Sequence, residues 1–145
     1  MSGILVGIDG SDHSMRALEW AINEASARHA PLTVLTVHQA VAGYLSDPAR
    51  HPDSERTAQA REVAQDETDR ILEKSDLETL PPSVTVKAVT GLPAEELLNA
   101  ATAADMVVVG SRGAGGFKRL LMGSVCTQVT HHAHCPVVVI PAENP

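Results

Sequence analysis

Aromatic side chains are nearly missing from this 145-residue chain, which holds one Trp, one Tyr and one Phe. Proteins that bind single-stranded nucleic acid rely on aromatic platforms to stack bases, so that class of partner is excluded. Positive charge is also in deficit: the formal net charge is −7. A broad nucleic-acid or anionic-membrane role needs a basic surface, and none is expected here. No apolar run approaches the ~20 residues of a membrane-spanning helix. Cysteine is scarce. Cys126 and Cys135 stand nine apart, in neither a CxxC nor a zinc-type spacing, and predict reduced thiols in a cytoplasmic protein. The first residues enter a strand pattern at once, with no basic region or cleavage site, which predicts a chain without a signal peptide. Two familiar nucleotide motifs are absent as well: there is no GxxxxGK[ST] and no GxGxxG after a strand.

What is present alternates. Ile4–Ile8 reads as a short apolar strand with a small residue at Gly7. In 12–29, Leu18, Ala21, Ile22 and Ala25 recur at helical spacing, with Ser11 or Asp12 as the N-cap. Leu32–Val37 is the second expected strand. Residues 54–75 form a polar helix with a thin stripe of Ala60, Val63, Ala64 and Ile71, its charges paired at i,i+4. Val84–Val89 is the third strand, and Pro93 opens a helix whose Leu97, Leu98 and Ala101 face inward. Val107–Val109, a helix from Ser124 to about Ala133, and Val137–Ile140 complete the series. Five strands alternating with four helices predict a single α/β domain over 1–145, a parallel sheet covered on both faces. The stretch 39–53 has no period and holds Gly43, Pro48 and Pro52, the marks of a functional flap or a mobile loop.

The most informative segment is Gly110–Ser124. It follows the strand residues Met106–Val109, contains five of the ten glycines, and carries Arg112, Lys118 and Arg119 with no acidic residue. The rest of the chain therefore carries −10, and a basic island on an acidic protein favours a small anionic ligand over a polyanion. A glycine-rich link from a buried strand into a helix brings backbone N–H groups to an anion at the positive end of the helix dipole. Ligands of such sheets sit beyond the carboxyl ends of the strands, where strand order reverses. Asp9 and Gly110 both lie at such ends, and face one crevice if their strands are neighbours. The plainer readings are a tight turn for the glycines, and a turn or cap role for Asp9.

The spacing Gly110-x2-Gly113-x9-Gly123-Ser124 resembles that of the ATP-binding branch of the universal stress protein (UspA-like) family. Val-Gly-Ile-Asp-Gly-Ser at 6–11, Gly-x-Pro-Ala-Glu at 91–95, Ala-Asp-x-Val-Val-Val-Gly-Ser-Arg-Gly at 104–113 and His-x-x-His-Cys-Pro-Val-Val-Val at 131–139 resemble it too. The likeness covers the chain except 39–53. It implies a Rossmann-like three-layer sandwich with strand order 3-2-1-4-5, and an ATP-dependent regulatory protein of the stress response. The nucleotide-binding residues it implies are Gly7, Ile8, Asp9, Val37, Val109, Gly110, Arg112, Gly113, Gly115, Gly123, Ser124 and Val125. Asp9 would bond ribose or adenine with Gly7 beneath it, and Val37 would give adenine its main-chain contact. Gly110 and Gly113 would admit the backbone to the anion, and Gly123 and Ser124 would meet the terminal phosphates. Mg2+ would arrive with the ATP, since no protein-only cage for it is visible. The likeness further implies a homodimer through Val137–Ile140, an apolar edge strand open to pairing.

Rival readings stay open. A slow ATPase or phosphotransferase would use the same cradle, although no His, Glu or Lys stands in a defined catalytic pairing. AMP or a cyclic nucleotide would use less of the loop. His131, His132 and His134 invite a metal, but histidines in a last helical turn also complement the helix dipole. Cys126 reads as a small buried hydrophobe, with a reactive thiol as the alternative.

Overall fold

The structure is a computed structural model that describes residues 3–39, 53–112 and 123–141. Its elements are β1 (Gly3–Ile8), α1 (Asp12–Arg28), β2 (Leu32–His38), α2 (Asp53–Lys74), β3 (Val84–Thr90), α3 (Pro93–Ala101), β4 (Ala104–Gly110), α4 (Ser124–His132) and β5 (Val137–Ile140). The five strands form one sheet in the order β3-β2-β1-β4-β5, and every neighbouring pair is parallel. The expected α/β class, strand order and element sequence are all present.

The chain builds outward from β1 to β2 and β3, then crosses back to place β4 on the other side of β1. The reversal falls between β1 and β4, where Val6 pairs with Val108. On its other flank β1 runs in register with β2, Ile8 opposite Thr36. Three carboxyl ends, those of β2, β1 and β4, therefore stand side by side.

Alternation along each strand divides the core into two layers. Ile4, Val6 and Ile8 of β1, with Leu32 and Val34 of β2, pack against Ala17, Leu18, Ala21, Ile22 and Ala25 of α1 and Ala64 of α2. Leu5, Leu35, Val107 and Val109 point the other way, against Leu97 and Ala101 of α3 and Cys126 and Val129 of α4. The apolar spacing of α1 explains its fit: Ala17, Leu18, Ala21 and Ala25 are completely buried. His29 ends α1 in the left-handed region at φ 52°, its N–H returned to carbonyls of the last turn.

The apolar stripe of α2 needs correction. Val63 is 57% exposed, and the packed side runs through Ala64 and Thr68, with Ile71 and Leu72 partly buried. Thr68 is fully buried and its hydroxyl donates to the Ala64 carbonyl at 2.7 Å, which removes the cost of burying a polar group. Gln39 and Asp53 bracket a stretch, 40–52, outside the described residues.

Candidate functional site

The first wall of the site is the β1–α1 turn, which is closed by its own side chains. Asp9 Oδ1 accepts hydrogen bonds from the Ser11 N–H at 2.9 Å and the Ser11 hydroxyl at 2.5 Å. Ser11 Oγ in turn accepts from the Ser14 N–H, and so caps α1. The Ser14 hydroxyl donates to the Ser11 carbonyl and accepts from the Asp9 N–H. Of the two candidate N-caps, Ser11 fills the role. Gly10, at φ 84°, supplies the left-handed step of this turn. Asp9 is thus both an exposed carboxylate at the lip of the sheet and the hinge pin of the turn.

The second wall is the link from β4 to α4. Its two ends meet: the Gly123 N–H donates to the Ser111 carbonyl at 2.6 Å. Ser111 is buried, and its own N–H reaches the Ile140 carbonyl at the end of β5 at 2.9 Å. Gly110 is held close to the first wall. A Cβ built there would lie 3.1 Å from the His13 carbonyl oxygen, a contact with backbone that cannot swing aside. The N-cap of α4 is Gly123, with Ser124 as the first helical residue, and no side chain caps this helix among the described residues. Its first turn has no acidic residue. Gly123 adopts φ −73°, ψ 165°, a conformation open to any residue, so the backbone here does not require glycine. Gly113 and Gly115, with Lys118 and Arg119, lie outside the described residues.

The remaining candidates divide by sheet face. Val109 is a buried member of the α3/α4 layer, and Val37 and Val125 pack against that layer. Gly7 belongs to the same side: a Cβ there would come within 2.8 Å of a Leu97 methyl. That contact gives Gly7 a packing role which its sequence context did not signal. Ile8 is buried in the opposite layer, against α1. Arg112 is half-buried beside Ser111. Residue type gave no sign of His13 and Ser111, because both act here through backbone atoms.

Burial pushes the thiols of Cys126 and Cys135 above their ordinary range, and Asp105 adds to the rise at Cys135. Cys126 is therefore a core residue in this state and not an activated thiolate. On α2, burial raises the Glu67 carboxyl; Arg70 opposes the rise and the Asp9 charge adds to it. The described residues hold no group of three His, Cys, Asp or Glu fit to bind a metal. The rings of His131 and His132 are 6.4 Å apart and tilted, at the last turn of α4. Among the described residues no helix is long and apolar enough to cross a membrane.

Comparison with known proteins agrees with this architecture. A universal stress protein of Mycobacterium tuberculosis is 35% identical over 145 residues, covering 98% of this chain and 48% of its own length. The chain spans about half the length of the first curated relatives that it matches. Among solved structures, UspA from Lactobacillus plantarum superposes with a TM-score of 0.79 at 26% identity, over 96% of this chain and 97% of that one. A universal stress protein in complex with cAMP gives 0.67 at 25% identity, over 97% and 96%. The family profile described as "Universal stress protein family" matches residues 1–141. The chain belongs to the universal stress protein family.

Proposed function

We propose that this chain is an ATP-binding regulatory protein of the stress response, a single nucleotide-binding domain over 1–145 acting in the cytoplasm. One observation carries the reading. The complete spacing Gly110-x2-Gly113-x9-Gly123-Ser124 begins and ends at the carboxyl edge of β4, its ends joined by the Gly123–Ser111 hydrogen bond. The start of α4, which no side chain among the described residues caps, offers N–H groups and the Ser124 hydroxyl to the outer phosphates. Gly110, pressed against the His13 carbonyl, leaves that strand end without a side chain. Val37, Val109 and Val125 give adenine an apolar bed on the α3/α4 side, and Asp9 at the lip reaches ribose or base. Arg112, Gly113 and Gly115 complete the set. Mg2+ enters with the nucleotide.

Calorimetric titration tests the reading. Micromolar ATP binding is expected, lost in Gly110→Ala, Gly123→Ala and Asp9→Ala. Affinity unchanged in all three variants would remove the site from these residues. A second reading, a cyclic nucleotide, is favoured by the structural neighbour solved with cAMP; competition between ATP, AMP and cAMP decides it. Hydrolysis is the third: phosphate release well above that of Gly123→Ala would make the protein a slow ATPase.

The β5 edge supports assembly as a homodimer. Val137, Val138 and Val139 are half-buried and uncharged on a terminal strand, the kind of edge that pairs with a copy of itself. A monomer mass at micromolar concentration, with no change on Val138→Lys, would rule this assembly out.

A further inference from the structure

The carboxyl end of β5 is fastened by two donors, and both come from the walls of the candidate site. The Ser111 N–H, one residue past Gly110, donates to the Ile140 carbonyl. The Arg16 guanidinium, on the first turns of α1, donates to the Pro141 carbonyl. Ser111 also accepts the Gly123 N–H that closes the β4–α4 link. The first turn of α1 is pressed against the same place, since the His13 carbonyl lies where a side chain at 110 would go. Two of these contacts, Gly123 to Ser111 and Ser111 to Ile140, join backbone groups directly, and the third, from Arg16 to Pro141, is made by a side chain.

We infer that Arg16 and Ser111 form a latch that couples the Ser111–Gly123 hydrogen bond to the order of the β5 edge. Arg16 is a positioning residue: it fixes the strand end from which Ser111 hangs. Resting on the ATP reading for its physiological meaning, the latch makes nucleotide occupancy and the edge strand two readouts of one element. Coupling of this kind is reciprocal. A ligand that holds Gly123 and Ser111 in place must protect β5, and loosening β5 must weaken the ligand.

Amide-resolved hydrogen exchange on the full chain tests the latch, first without nucleotide. Arg16→Ala should speed exchange at Ser111 and Gly123 by about tenfold, the size of one lost hydrogen bond to a charged group. Arg28→Ala is the control, because Arg28 pairs within α1 with Glu24 and should leave both amides unchanged. Arg16→Lys, which keeps a donor, should restore part of the protection. Faster exchange confined to β5, with Ser111 and Gly123 unaltered, overturns the latch. In the second arm ATP is added to the wild type, and protection at Val139 and Ile140 should rise. ATP binding without that rise overturns the coupling but leaves the ATP reading intact. Absent ATP binding defeats the ATP reading alone, since the first arm judges the latch without ligand.

Discussion

Two helices begin at the carboxyl edge of this sheet on either side of one crevice, and they treat their first turns in opposite ways. At α1 the chain satisfies itself: Ser11 caps the helix, Asp9 holds Ser11, and Ser14 bonds both. At α4 the cap is a glycine, no side chain among the described residues reaches the first N–H groups, and no acidic residue stands in the first turn. Every helix start has orphan donors. Side chains, water or a ligand can meet them: at α1 the Ser11 oxygen does so, and at α4, among the described residues, the place is open to water or a ligand. On the proposed reading the first wall serves stability and the second binding, and substitutions should sort accordingly.

The largest effect is expected at Gly7, on the strand that leads into the stable wall. An added Cβ would lie 2.8 and 3.0 Å from the two Leu97 methyls, and overpacking of this kind costs about 1–3 kcal/mol. Urea unfolding of Gly7→Ala should show that loss. In a Leu97→Ala background the same change should be neutral or stabilising, because the new methyl enters vacated space. An equal cost in both backgrounds would mean that Gly7 answers to something other than α3. Ser11→Ala comes next. It removes the α1 cap and a partner of Asp9, and should cost about 1 kcal/mol of stability, while ATP affinity falls only as far as Asp9 loses its position.

The reverse substitution sharpens the contrast. Gly123 already has the extended dihedrals of an N-cap, so Gly123→Asp installs at α4 the oxygen that Ser11 provides at α1. Stability without nucleotide should rise by about 0.5–1 kcal/mol. ATP binding should disappear, since the carboxylate occupies the phosphate's place with the phosphate's charge. Thermal melts with and without ATP check both halves. A variant that is more stable and still binds ATP would show that the helix start is not the anion site.

Much of this is legible in the sequence, for unequal physical reasons. The α1 face was plain because its apolar residues keep helical spacing and are nearly all buried. β5 was bounded correctly by its flanking prolines, Pro136 and Pro141. The strand order was not in the periodicity; it came from the family likeness, and only pairing energetics across the whole sheet determine it. The α2 stripe misled at Val63 because a buried threonine, Thr68, does the packing with its hydroxyl turned back onto the helix. At the candidate site, residue types pointed to Asp9, Gly110 and Gly123. They did not announce Ser111 and His13, which act through peptide groups common to every residue, nor the contact between Gly7 and Leu97, ninety positions apart in the chain.

The smallest effect reaches the stable wall from outside it. Burial and the Asp9 charge raise the Glu67 carboxyl, with Arg70 opposing. A carboxyl raised above its unfolded value of 4.5 is charged at a cost in the folded protein at neutral pH. That cost is relieved as pH falls through the folded value and is gone below the unfolded one. Glu67→Gln should therefore be slightly more stable than the wild type at neutral pH, with the advantage vanishing in acid. Because burial is the larger cause, Asp9→Asn should shrink that advantage without abolishing it. Urea midpoints of the four proteins at neutral and acidic pH complete the cycle. If Asp9→Asn leaves the Glu67→Gln advantage untouched, the Asp9 carboxylate acts on its own turn alone, and α2 has no electrostatic hold on the site.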